Sequence, residues 1–235
     1  MGIRFMLLIL CVLSAVLSIQ AFAVEADDIV IDGNFKDWEK IPVSVEDPED
    51  QANNPSGDYK ALKVATNGNT FCFLQVAYGE ITPLDGKRYY YHVLIDVDNK
   101  VNTGISNKEY EGKPTKVKRP IGSEFYIQIG RDKGQVEFGS NYALHLETEE
   151  ILSKDFEWKN NGDSLELAIP FKDFGKYAGS FKVGKTISIA AFQEGEANGW
   201  AIDWTESAEH EIGQAYVVQV QDKLPLLWAE LKTPR

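Results

Sequence analysis

The segment IDVDNKVNTG, residues 95–104, ends a run of aromatic and branched residues on two carboxylates, Asp96 and Asp98. Side chains alternate along an extended chain, so residues two apart share a side. Carboxylates so placed repel each other unless a cation or hydrogen-bond donors lie between them. Asn102 and Thr103 follow with neutral oxygens, Gly104 lets the backbone fold back, and Glu124 at the start of a later strand adds a third carboxylate. Hard oxygens of this kind suit calcium, which takes about six to eight in flexible geometry. The run is not an EF-hand, because Lys100 stands where the loop needs an oxygen and Asn107 where it needs a glutamate. Asp and Asn at a strand end also bond to their own turn amides. The residues alone leave both readings open, and any ion here is expected to be structural.

A second set of residues fits sugar contacts, which need flat aromatic faces beside planar polar groups. QEGEANGWAIDW, residues 193–204, offers Gln193, Glu196, Asn198 and Trp200 around a glycine-bracketed turn, and Arg88, Tyr89 and Tyr90 form a second cluster. These seven are the expected ligand contacts. Trp204 at the strand end is expected in the core, Trp38 is expected to fold back as a plug on the sandwich edge, and Cys72 in TFCFLQV reads as a buried, inert thiol.

Catalytic signatures are weak. No G-x-S-x-G occurs, and no pattern pairs two of the many carboxylates into a glycosidase acid and base. His92, His145 and His210 lack zinc-binding spacing. No enzyme is expected.

These residues must be held by strands. YKALKVAT and TFCFLQVAY flank the hairpin pair Asn67-Gly68, and RYYYHVLIDVD, apolar on both faces towards its end, suggests a central strand. EFYIQIG, QVEFG, YALHLET, TISIAAFQE and QAYVVQVQ read as further strands, DIVID as a short first strand, and FEWKNNGDSLELAIP as a hairpin stopped by Pro170. FKDFGKY suggests one helical turn, and only the tail, 224–232, shows a helical period. The expected fold is an all-β antiparallel sandwich of jelly-roll or immunoglobulin-like type, one domain over residues 24–235.

Residues 1–23 read as a signal peptide: Arg4, an apolar core too short for a membrane span, and the small-residue site AFA before cleavage after Ala23. A secreted or periplasmic protein with no membrane span after cleavage is therefore expected. Losing Arg4 takes the formal charge from −12 to −13, which opposes nucleic-acid binding. Cys72 is then the sole cysteine, so no internal disulfide can form.

The order IDGNFKDW, HVLIDVDNKVNTG, IGSEFYIQIG and DSLELAIPFKDFG resembles the family 9 carbohydrate-binding modules and the wider DOMON-like superfamily across nearly the whole expected mature chain. The resemblance implies a jelly-roll-like sandwich, structural calcium, carbohydrate as ligand and a glycoside hydrolase as partner. Such modules clamp a terminal sugar between two loop tryptophans. Here TPLDGKRYYY has no tryptophan, and Trp204 lies at a strand end, so the clamp is not matched. Some DOMON-like relatives bind haem through methionine; Met1 and Met6 both lie in the signal segment, so no haem is expected. The alternative is a structural or protein-interaction sandwich that keeps the fold without sugar binding.

Overall fold

A computed structural model describes residues 29–51, 53–81, 87–132, 135–136, 141–195 and 201–213. In chain order the strands are β1 (Val45–Glu46), β2 (Tyr59–Thr66), β3 (Thr70–Ala77), β4 (Arg88–Asp96), β5 (Ile105–Ser106), β6 (Glu109–Tyr110), β7 (Lys113–Pro114), β8 (Gly122–Ser123) and β9 (Phe125–Asp132). They continue as β10 (Gln135–Val136), β11 (Tyr142–His145), β12 (Glu150–Ser153), β13 (Glu157–Asn161), β14 (Ser164–Pro170), β15 (Thr186–Gly195), β16 (Ala201–Trp204) and β17 (Ala208–Glu211). One sheet runs β1-β2-β3-β14-β13 and the other β12-β11-β9-β4-β15-β16, with β10 on β9 and β17 on β15. Every pairing is antiparallel. The fold is the expected all-β sandwich.

Phe71, Phe73, Leu165 and Leu167 from the first sheet meet Val93, Ile95, Ile127 and Ile189 from the second in one core cluster. Each fully buried side chain of this size contributes about 1.5–3 kcal/mol relative to exposure. β4 lies between β9 and β15. Its Tyr89, Tyr91, Val93 and Ile95 enter that core, while Leu94 on the other face joins a second cluster with Ile121, Ala190 and Phe192. Both faces are covered, which is why this strand is apolar almost throughout.

The outer face of the first sheet carries its own cap. Trp38, 1% exposed, packs with Ile41, Ala65, Cys72 and Leu74. Its indole Nε1–H donates to Glu166 Oε2 at 2.9 Å, and Gly33 N–H donates to Glu166 Oε1 at 2.7 Å. Trp38 is thus the plug its position suggested, and Cys72 is buried beneath it.

The β2–β3 hairpin turns at Gly68 (φ +80°), and Asn67 Oδ1 accepts the backbone N–H groups of Asn69 and Thr70. Three expectations change. Residues 29–31 are irregular and Asp32-Gly33 form a bend rather than a strand, because Asp37 Oδ2 takes the Val30 N–H at 2.7 Å and removes it from any ladder. The turn after Pro170 is longer than one helical turn: 3-10 geometry runs through Phe171–Ser180, broken at Gly175 (φ +56°). β12 and β17, absent from the strand pattern read above, each add an edge. QAYVVQVQ and the helical-period tail lie outside the described residues.

Candidate functional site

The two aspartates close β4 as their spacing suggested, and β8–β9 bring Glu124 to them. One carboxylate oxygen from each of Asp96, Asp98 and Glu124 lies within 4.8 Å of the others. Asp96 is 1% exposed; its Oδ2 accepts Gly122 N–H at 3.2 Å and its Oδ1 accepts Asp98 N–H at 3.1 Å. Glu124 Oε2 accepts Val97 N–H at 2.8 Å. The turn between them is folded tightly: Gly104 sits at φ +64°, and a Cβ on Gly122 would collide with the carbonyl oxygens of Thr103 and Lys100.

Burial pushes the Asp96 carboxyl up, partly offset by backbone N–H groups. Burial also raises Glu124, the Val97 N–H opposes it, and the charges of Asp96 and Asp98 add to the rise. Asp98 differs: desolvation, its largest single influence, is outweighed by Thr103 and Lys100 together, which hold it below its ordinary value. Thr103 Oγ donates to Asp98 Oδ1 at 2.8 Å, and Lys100 Nζ lies 3.2 Å from Oδ2. Asn102 stays exposed in the turn. Both sequence readings therefore have a physical basis. Asp98 is bound by its own turn, while Asp96 and Glu124 hold convergent charge that a hard cation would relieve.

A second carboxylate group escaped the sequence reading. Asp47, Asp58 and Asp203 bring one oxygen each within 4.8 Å of one another. They come from beyond β1, before β2 and within β16, separations that no local motif reveals. Asp203 Oδ2 accepts Tyr59 N–H at 2.7 Å, and Asp58 Oδ2 accepts Gln51 N–H at 2.9 Å. Desolvation, then the charge of Asp203, raises Asp47 to about 7; desolvation chiefly raises Asp203 to about 6. A carboxyl raised in the folded state adds stability that is complete below its unfolded value, near 3.8, and lost as pH rises through the folded value. The contribution of this group should fade between about pH 4 and pH 7. Denaturant midpoints measured from pH 4.5 to 8 should show Asp203→Asn losing less stability over that range than the parent chain. Parallel pH profiles would mean that the three carboxylates do not share their charge.

Asp47 and Asp203 stand in the wall of a groove of about 820 Å³. The acidic segment after β1, the β6–β7 hairpin and the β15–β16 edge enclose it. Tyr90, Tyr110, Trp204 and Glu194 line it. Their placement follows from register: Glu194 lies opposite Tyr90 across β15–β4, and Phe192 lies opposite both His92 and Trp204. Residues directly opposite share a face, so the outer side of the sheet stacks imidazole, phenyl and indole in sequence. His92 and Phe192 are 3.9 Å apart at 1°, and Phe192 and Trp204 are 4.3 Å apart at 14°. Tyr110 meets the indole edge-on at 5.6 Å and hydrogen-bonds through its hydroxyl to Glu194 Oε1. His92 Nε2 lies 3.3 Å from Glu194 Oε2. Burial keeps His92 below its ordinary value and therefore neutral near pH 7. Burial pushes Glu194 up, and the hydrogen bond from His92, any positive charge on that ring and the Tyr110 hydroxyl together more than reverse this, holding it below its ordinary value.

The expected sugar contacts fare unevenly. Tyr90 is half-buried and lines the groove, and Arg88 is exposed at the start of β4. Tyr89, 2% exposed, points into the core, and Gln193, 1% exposed, is buried in the sheet. Neither presents a face to a ligand, because each lies one position from a groove-lining neighbour and the strand alternates. Trp204, expected in the core, is half-buried: it packs against the cluster of Leu94, Ile121, Ala190 and Phe192, with Phe192 covering one face, and also forms groove wall. Glu196, Asn198 and Trp200 lie outside the described residues. Tyr110 was not among the residues singled out in the sequence and Trp204 was read as core; they meet at the groove only when the β6–β7 hairpin folds over β15 and β16. Neither a scan of family models nor a search of curated proteins finds a match for this chain.

Proposed function

We propose that this chain is a secreted or periplasmic, calcium-stabilised, non-catalytic carbohydrate-binding sandwich, akin to the family 9 modules and able to serve a glycoside hydrolase as an accessory. One observation carries the reading: a groove of about 820 Å³ with three aromatic residues, Tyr90, Tyr110 and Trp204, beside ordered carboxylates. Aromatic rings give a sugar's apolar face something to stack on, and fixed acceptors hold its hydroxyls. The Asp96–Asp98–Glu124 group lies at the other end of β4 from Tyr90, which suits a calcium ion that braces the fold without touching the ligand. The described residues contain no helix long and apolar enough to cross a membrane.

Titrating a panel of neutral and charged oligosaccharides against intrinsic tryptophan fluorescence, with calcium present, tests this. A saturable change is expected for one sugar class. Trp204→Ala should weaken it at least about tenfold, the loss of about 1.4 kcal/mol, while circular dichroism stays unchanged. Silence across the panel would favour the structural or protein-interaction sandwich.

A further inference from the structure

We propose that the groove is built for an ammonium group, seated against Tyr90, Tyr110 and Trp204 with Glu194 as its counter-charge. This rests on the carbohydrate reading, within which the ligand is an amino sugar whose amine is free.

Neutral sugars need aromatic faces and hydrogen-bond partners, but they gain nothing from unbalanced negative charge. This groove has an excess of it. Glu194 and Glu206 line it from half-buried positions, Glu206 with Arg119 4.0 Å away, and the raised carboxyls of Asp47 and Asp203 add charge only as pH rises through about 7 and about 6; its lysines, Lys113, Lys116 and Lys118, are exposed. Lys116, with a side chain 91% exposed, reaches only Asp50, at 3.7 Å. The cations thus stand in water, where their field is screened, and the anions stand inside.

Glu194 is the group best prepared for a cation. Its side chain is 19% exposed, and donors hold both its oxygens: the Tyr110 hydroxyl on Oε1 and His92 Nε2 on Oε2. His92 is stacked on Phe192 inside the sheet, which fixes its ring and so orients the carboxylate it bonds. Tyr90 lies opposite Glu194 across the strands, Tyr110 bonds its carboxylate, and Trp204 lines the same groove. An ammonium group over such rings gains roughly 0.5–2 kcal/mol per favourable face. A carboxylate among aromatic rings is also the pairing that discriminates an amine from its acetylated form, which keeps the hydroxyls and loses the charge. The same chemistry would accept a free quaternary amine, so the test must separate the two sources.

The probes are glucosamine oligomers, their N-acetylated counterparts, neutral gluco-oligosaccharides of equal length, and tetramethylammonium. Each is titrated against the calcium-loaded protein by tryptophan fluorescence and calorimetry at pH 6, where the sugar amine is largely protonated, and at two salt concentrations. The expected result is that glucosamine oligomers bind at least about tenfold more tightly than the acetylated or neutral series. Added salt should weaken this binding, and Glu194→Gln should abolish the preference. Tyr90→Leu, which leaves the His92–Glu194–Tyr110 chain intact, should weaken all sugars together, and thermal unfolding checks that both variants fold. Equal affinity for amino and neutral sugars would overturn the ammonium site while leaving the carbohydrate reading intact. Tetramethylammonium binding without any sugar binding would support the ammonium site and overturn the carbohydrate reading. Binding of none of the four would overturn both.

Discussion

Glu166→Leu is expected to lower folding stability by about 2–4 kcal/mol. The glutamate is fully buried in β14, and its two oxygens take the N–H groups of Trp38 and Gly33, which lie 128 and 133 residues away in the chain. Leucine has similar bulk, so little cavity forms. It leaves two donors unpaired, at about 1–3 kcal/mol each. Part of that is recovered, because burial raises the Glu166 carboxyl and the folded protein bears a cost for holding it charged. The balance remains destabilising, since a buried donor without an acceptor retains its full desolvation penalty. Glu166→Gln should fall between: its amide oxygen still accepts one N–H, while its amide nitrogen faces the other. Urea titration of the three proteins, with Trp38 fluorescence reporting on the plug, measures the series. A leucine variant within about 0.5 kcal/mol of the parent would mean that the plug is held by packing alone.

Stripping metal from the protein and then adding calcium is expected to raise Tm by about 5–11 °C. Ligand at about 100 times its Kd adds about 2.7 kcal/mol, and each kcal/mol moves Tm by about 2–4 °C in a chain of this length. The source of the effect is local. Asp96 is buried and Glu124 half-buried, both are raised, and they lie close together, so the fold bears repulsion that a divalent cation removes. Asp96→Asn should abolish most of the shift. Magnesium, which demands a smaller and more rigid octahedron, should reproduce little of it. An unchanged Tm, with no calcium detected by calorimetry, would leave these carboxylates as turn acceptors only. The Lys100 ammonium beside Asp98 gives that outcome a physical basis.

The pattern of strands was legible because it is local. Asn67-Gly68 announced its hairpin, the two-sided apolarity of β4 announced a central strand, and Asp96 and Asp98 announced a shared side. Errors came where partners are distant. Trp204 looked like core because an indole among apolar residues usually is, and only the covering hairpin shows that part of it forms a groove wall. Tyr89 and Tyr90 looked equivalent, yet a choice of register, invisible in three consecutive tyrosines, sends one inward and the next outward.

Local residue patterns carry the all-β class, most of the strands, the paired aspartates with Glu124 in reach, and the burial of Trp38 and Cys72. Each depends on alternation or on turn chemistry acting over a few residues. Folding of the whole chain is what makes Asp47, Asp58 and Asp203 meet, Glu166 anchor the plug, and Tyr90, Tyr110, Glu194 and Trp204 share one groove. Those groups are assembled by sheet register and by loops crossing from one sheet to the other. Contacts of that kind are set by the packing of the whole core, so no short stretch of residues encodes them.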